Sequence, residues 1–292
     1  MNAAASREPV LRLPFRAPFA ADTLLSFLGA RAVPGIERMA DGTYRRSVRT
    51  VSGAAVVTMT PRRDHVAVHV SGAGPADLEE LSVRARRAFD LDAHPLEIDA
   101  GLAVDPALAP LVDERPGIRV PGTLDGFELV VRAIFGQQVS VAGSRTSLGR
   151  LVERAGTPLD AAGDDITHLF PTAEQVAGLP HEAFGMPRAR AETIRRVAEL
   201  VARGELDLSE DAQPSEMLRV LSEVKGIGSW TLSYVAMRAL CDPDAFVSSD
   251  LGVRRGIEAL GLASSVAAIL ERAERWRPWR AYAVMHLWHA HK

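Results

Sequence analysis

Leu221-Ser222-Glu223-Val224-Lys225-Gly226-Ile227-Gly228-Ser229-Trp230-Thr231 is the stretch on which the fold turns. A helical pattern over 215–224 ends beside it, and a second pattern over 231–240 begins near Ser229. Between them stands Gly226-Ile227-Gly228. Glycine opens backbone angles closed to other residues and lets a second backbone approach. Ile227 is the expected apolar plug between the two helices. The second helix then aims its unpaired N–H groups out of the turn, a start that favours phosphate through dipole and donors together. A lone Gly-x-Gly would serve an ordinary helical hairpin equally well. The spacing is more specific: apolar Leu221, four residues, Gly-Ile-Gly, two residues, Thr231.

Downstream runs Phe246-Val247-Ser248-Ser249-Asp250-Leu251-Gly252-Val253-Arg254-Arg255, with Asp250 22 residues past Gly228. Ser248 or Ser249 is the expected cap of the next helix, which places Asp250 in its first turn. Trp230 and Tyr234, four apart, share one helix face. All four tryptophans (Trp230, Trp276, Trp279 and Trp288) lie at or beyond residue 230. Most aromatic rings on helices are core, yet this concentration leaves room for a stacking pocket.

Toward the N-terminus the pattern changes near residue 100. Alternating runs at 10–15, 44–50, 54–60 and 65–71 read as strands. Helical periodicity at 22–31 and 75–89 flanks them. This is an α+β pattern, a small antiparallel sheet with helices on one side. After Pro95 strand signals mostly vanish. Helical segments follow at 106–113, 124–135, 140–155, 172–178, 188–204, 215–224, 231–240, 252–260, 263–275 and 279–289, punctuated by Gly and Pro.

With 292 residues, 47% hydrophobic and 24% charged, the chain reads as soluble and long enough for two or three domains. The single cysteine, Cys241, excludes an internal disulfide framework and a cluster held by four cysteines of this chain. It is read as a small packed residue and fits a reducing cytoplasm. The start MNAAASREPV lacks the apolar core of a signal peptide, and no apolar run nears the roughly 20 residues that span a bilayer, so no membrane partner is expected. The net charge of −3 gives no long-range attraction to a polyanion, so such contact must rest on local charge. Residues 254–292 supply some: Arg254, Arg255, Arg272, Arg275, Arg277, Arg280 and Lys292 against Glu258, Glu271 and Glu274. About half of these are expected in ion pairs on a solvated face. His286, His289 and His291 make no metal site without further ligands.

A glycine hairpin followed by an aspartate at this distance resembles the helix-hairpin-helix glycosylase superfamily. Three further stretches are similar to the DNA-3-methyladenine glycosylase II family. They are 129–142, which contains Gln137-Gln138, then Phe184-Gly185-Met186-Pro187, then Glu274-Arg275-Trp276-Arg277-Pro278-Trp279. The resemblance covers nearly the whole chain. It implies an α+β N-terminal domain (small antiparallel sheet with helices) at 1–101, followed by mainly α helix-hairpin-helix glycosylase domains. One of these is 126–243; the other is 102–125 plus 244–292, with the site in the cleft between them.

The same resemblance implies Asp250 as the catalytic carboxylate, stabilising a sugar cation or orienting water. It puts Trp230, Tyr234 and Trp288 around an extruded base. Electron-rich rings suit a positively charged alkylated purine, at about 0.5–2 kcal/mol of cation–π attraction. Gly226, Ile227, Gly228, Ser229, Thr231, Gln137 and Gln138 are the implied DNA contacts. Relatives that also cut the backbone carry a lysine where Trp230 stands; an indole cannot form a Schiff base, so water is the expected nucleophile. The family often has a leucine wedge in place of Gln138 and a tyrosine in place of His289. No side-chain metal site and no cofactor are expected beyond a monovalent cation, sodium, on the hairpin carbonyls. The expected partner is double-stranded DNA with damaged bases, met by a monomer in the nucleoid-bearing cytoplasm. Two alternatives stay open: a non-catalytic helix-hairpin-helix DNA-binding protein, and a monofunctional glycosylase for deaminated or other lesions.

Overall fold

The computed structural model describes residues 10–160 and 165–290, so His291 and Lys292 lie outside the described residues. Strand β1 (Val10–Pro14) and helix α1 (Ala21–Arg31) open the chain. Strands β2 (Glu37–Ala40), β3 (Thr43–Thr50), β4 (Gly53–Pro61) and β5 (His65–Ser71) form an antiparallel meander. β1 pairs with the outer edge of β5, giving the order β1-β5-β4-β3-β2. Alternation turns Ala55, Val57 and Met59 of β4 and Val66, Val68 and Val70 of β5 inward. Periodicity locates four of these strands but not β2. Its signal was the turn Asp41-Gly42: both residues take positive φ, 51° and 68°, the requirement of a tight two-residue hairpin.

Helices α2 (Asp77–Phe89), α3 (Pro95–Leu102), α4 (Ala109–Glu114), α5 (Gly126–Phe135) and α6 (Val141–Ala155) follow. A two-strand ribbon, β6 (Thr157–Pro158) and β7 (His168–Leu169), precedes α7 (Ala173–Ala177) and α8 (Arg188–Ala202). The remainder is α9 (Pro214–Glu223), α10 (Ser229–Arg238), α11 (Leu251–Ala259), α12 (Val266–Ala273) and α13 (Arg280–Ala290). Cys241, read as packed, is instead exposed, in the turn after α10, where the backbone takes a positive φ of 54°.

The described residues build two apolar clusters. One joins the sheet and α2 to Val253 and Ile257 of α11 and to Val284 and Leu287 of α13. The other packs Val130 and Ile134 of α5, Leu148 of α6, Ile194 of α8, Leu221 of α9 and Val235 of α10. The seam expected at residue 101 falls inside the first cluster, since Ile98 and Leu102 are buried in it. Each fully buried large side chain stabilises by roughly 1.5–3 kcal/mol.

Where the clusters meet, charge replaces apolar contact. Arg46 of β3, Glu37 of β2 and Glu128 of α5 are buried. Arg46 Nη2 bonds Glu128 Oε2 at 2.6 Å, and Arg132 Nη1 bonds Glu37 Oε2 at 2.9 Å and Glu128 Oε1 at 2.7 Å. Tyr44 donates its hydroxyl to Glu37. Arg132 Nη2 also donates to the Arg31 carbonyl at 2.7 Å, tying the end of α1 to α5. Burial pushes the Glu37 carboxyl upward, but Arg132 and Arg46 outweigh it and hold it at about 2.

The hairpin turn is tight for a visible reason. Gly226 has φ +97°, and a Cβ there would lie 2.2 Å from Thr193 Oγ1. Thr193 Oγ1 in turn donates to the Lys225 carbonyl at 2.9 Å. Ile227 is buried in the second apolar cluster, which also holds Leu221 of α9 and Val235 of α10. Gly228 caps α10 without a side-chain bond, and a Cβ there would meet nothing within 4 Å, so the helix start is open.

Two stability outcomes follow from these contacts. Glu37 ionises more readily folded than unfolded, so its contribution is complete above the ordinary value of 4.5 and drains as pH falls toward about 2. Thermal melts across that range should show this loss, and Glu37→Gln should remove its share of the slope while destabilising the neutral-pH protein by about 3–5 kcal/mol. In urea titrations, Gly226→Ala should cost about 1–3 kcal/mol, and Gly228→Ala less than about 1 kcal/mol.

Candidate active site

Helix α11 begins one residue after Asp250, which is itself the N-cap, with extended backbone at φ −71° and ψ 132°. Its Oδ1 accepts from Val253 N at 3.0 Å. Neither Ser248 nor Ser249 caps this helix, and Asp250 stands just outside the first turn in which it was expected. The difference has a cause: from the cap position one carboxylate can reach forward to Val253 N and still face two neighbouring helices.

Those neighbours donate indole protons. Trp230 Nε1 of α10 lies 2.9 Å from Asp250 Oδ2, and Trp288 Nε1 of α13 lies 2.8 Å from Oδ1. Such bonds to a carboxylate are stronger than neutral ones. Each indole also belongs to an aromatic pair. Trp230 stacks on Tyr234 with centroids 5.1 Å apart, and Trp288 stacks on Phe27 of α1 at 5.8 Å. Asp250, Trp230, Tyr234 and Trp288 are all half-buried. The other two tryptophans are structural. Trp276 is buried and donates to Asp105 at 2.9 Å, and Trp279 packs at the core edge.

Two glycines set the depth of Trp288. A Cβ on Gly252 would lie 2.7 Å from Trp288 Cδ1, and one on Gly256 would lie 2.3 Å from the Leu287 carbonyl. Helix α13 thus rests on a glycine face of α11. The i, i+4 spacing of the glycines was the available signal, and the sequence reading did not use it.

Phe27, Arg31 and Arg238 join the site unforeseen. The Arg31 guanidinium lies 3.7 Å from the Phe27 ring centroid and 5.9 Å from that of Trp288. Arg238 is buried, and each of its three nitrogens donates: to the carbonyls of Pro121 and Gly122 at 2.7 and 2.8 Å and to Tyr234 Oη at 2.8 Å. Burial pushes the Tyr234 phenol upward, but Arg238 and Arg31 outweigh it and lower it. Phe27 and Arg31 are four apart on α1, a face-sharing pair that alone announces only an ordinary helix surface.

The polar residues expected near the hairpin divide into braces and exposed groups. Gln137 Nε2 donates to the Gly226 carbonyl at 3.1 Å and to Thr231 Oγ1 at 3.0 Å, and Thr231 is buried. These two hold the turn against the loop after α5. Gln138 projects from that loop, exposed, with φ +57°. Lys225, Gly226, Gly228 and Ser229 are also exposed.

Among the basic residues, Arg254 pairs with Glu258, Arg272 with Asp105, and Arg277 and Arg280 with Asp244 and Glu274, while Arg255 and Arg275 are exposed. Burial drives His286 down to about 4. No group of three or more potential metal-ligating side chains converges among the described residues.

Residues 10–125 match the family described as the AlkA N-terminal domain. Over 278 residues, 95% of the chain, it is 41% identical to a probable bifunctional transcriptional activator/DNA repair enzyme AlkA of Mycobacterium tuberculosis. It spans 56% of that relative's length. It is 34% identical to DNA-3-methyladenine glycosylase 2 of Escherichia coli, across 95% of this chain and 96% of that one. The solved 3-methyladenine DNA-glycosylase of Archaeoglobus fulgidus superposes with a TM-score of 0.82 at 24% identity, over 95% of this chain and 97% of that one, and bears on the fold alone. An α+β sheet domain joined to helix-hairpin-helix glycosylase domains, and identity that runs almost end to end, make this chain a member of the DNA-3-methyladenine glycosylase 2 (AlkA) family.

Proposed function

We propose that this chain is a monofunctional DNA glycosylase that hydrolyses the N-glycosidic bond of alkylated bases, of the 3-methyladenine type, in double-stranded DNA. The reading adds a monomer working at the nucleoid in the cytoplasm; no helix among the described residues is long and apolar enough to cross a membrane. The observation that carries it is Asp250, a partly buried residue whose carboxylate is held by two indole N–H groups from neighbouring helices.

The chemistry follows from that arrangement. A base within a duplex must leave the stack before its sugar bond can be reached. Trp230, Tyr234, Trp288 and Phe27 offer π faces to an extruded, positively charged base. As the bond to the sugar breaks, positive charge grows on the anomeric carbon. Asp250 stabilises that charge or orients the attacking water. The three bonds to Asp250 keep its oxygens in place without reorganisation during the step. Trp230 stands where a lysine would supply an amine, so water is the nucleophile.

Docking rests on the open start of α10, where Gly226, Ile227, Gly228 and Ser229 form the turn and backbone N–H groups suit a phosphate. Exposed Gln138 is placed to enter the gap left by the base, by hydrogen bonding rather than apolar packing. Gln137 and Thr231 act behind it as the brace. A monovalent cation would use the carbonyls of 224–226. Each already accepts one hydrogen bond, from Ile227 N, Thr193 Oγ1 or Gln137 Nε2. A second lone pair remains on each, and the ion would draw a phosphate rather than take part in bond breaking.

Base release from methylated duplex DNA tests the reading directly. Asp250→Asn should lower single-turnover release by about a hundredfold or more, with DNA affinity largely kept; undiminished release would refute the assigned role. The asparagine amide would also point a donor at one of the two indoles, so tryptophan fluorescence should shift. Borohydride should trap no enzyme–DNA adduct, and a trapped species would overturn the hydrolytic assignment.

A further inference from the structure

The mechanism above gives Arg31 no task, although its guanidinium sits beside the Phe27 and Trp288 rings. Among the described residues its hydrogen bond is a long one, from Nη1 to the Phe27 carbonyl at 3.3 Å. Arg238, against the Phe27 and Tyr234 rings, directs three nitrogens at three protein acceptors. A guanidinium carries five N–H donors in a fixed fork. Arg31 therefore keeps donors that no protein group takes up. None of its nitrogens is an orphan sealed from solvent. Its backbone is fixed, because Arg132 grips the Arg31 carbonyl from within the buried charge network. A held backbone with unused donors beside the stacked Phe27 and Trp288 rings is suited to binding a ligand edge.

We propose that Arg31 is a catalytic group for the departing base. It donates hydrogen bonds to a carbonyl or ring-nitrogen acceptor on the edge of an extruded neutral purine and takes up the negative charge that reaches that base as its glycosidic bond breaks. This rests on the glycosylase reading above. The balance of the step depends on the lesion. When C1′–N9 breaks, its electron pair passes to the base, and the oxygen of water bonds C1′ and releases a proton to solvent. A cationic alkylated purine leaves neutral and needs no donor. A neutral purine leaves as an anion, which the guanidinium stabilises until the base takes a proton from solvent. Arginine keeps its own proton throughout. For a cationic base the same guanidinium is a like charge. Arg31 thus favours neutral lesions with an edge acceptor, deaminated purines above all, while the aromatic walls favour cationic ones.

The test is single-turnover release by the full chain from two duplexes, one containing 7-methylguanine and one hypoxanthine, with native protein, Arg31→Met and Arg31→Lys. The native chain should release both bases. Arg31→Met should slow hypoxanthine release by about a hundredfold, the usual loss for one transition-state donor, and leave 7-methylguanine release equal or faster. Its residual hypoxanthine release should rise as pH falls, because prior protonation of the base then replaces the guanidinium. Arg31→Lys should recover part of the neutral-base rate. A ratio of the two rates is immune to partial unfolding, which slows both alike. Equal slowing of both bases by Arg31→Met, or no slowing of either, would overturn the role of Arg31 and leave the glycosylase reading standing. Release of 7-methylguanine alone by the native chain would also overturn it. Release of neither base by the native chain would bring down both.

Discussion

The buried charges between sheet and helices are the constraint on which the site depends. Arg46 and Glu37 come from the sheet, Glu128 and Arg132 from α5, and each carboxylate meets both guanidinium-bearing strands or helices. Removing several charges from water is expensive and is offset only by near-complete pairing. Such a network tolerates few alternative arrangements, so it fixes register as well as distance. Its outermost bond, from Arg132 to the Arg31 carbonyl, sets where α1 ends. Phe27 and Arg31, on that same helix, lie beside Trp288.

The second organising element is Asp250. One carboxylate caps α11 and accepts from α10 and α13, so three helices share a single polar anchor. An ordinary helix cap needs one side-chain bond. The two additional indole bonds make the same residue the meeting point of the aromatic walls. Capping and the proposed function are therefore not competing explanations for this aspartate; the cap geometry is what holds its oxygens between the two indoles.

Legibility in the sequence followed distance along the chain. The hairpin, Asp250 and the Trp230–Tyr234 pair all lie within one short span, where spacing alone carries geometric information. Strands β1, β3, β4 and β5 were readable because half-buried strands alternate. Strand β2 is too short for alternation to register and was missed; Asp41-Gly42 was the signal that could have found it. Phe27, Arg31 and the buried salt bridges were out of reach. Arg46 and Glu128 are far apart in sequence, and nothing local distinguishes a charge that will be buried and paired from one that will face water. Gln137 and Gln138 looked alike as neighbours in one loop, yet one braces the turn and the other stays free.

The glycine face of α11 divides that helix into two surfaces with different tolerance to change. Toward α13, Gly252 and Gly256 leave no room for even a methyl group, so that side is closed to drift. Toward solvent, Leu251, Arg254 and Arg255 are exposed, and none of their side chains bonds the Asp250 carboxylate. If that side faces DNA as the proposed function implies, substitutions there change how it is met without removing a bond to the Asp250 carboxylate. On the proposed reading, a helix built this way lets affinity for a polyanion change separately from the chemistry at its N-cap.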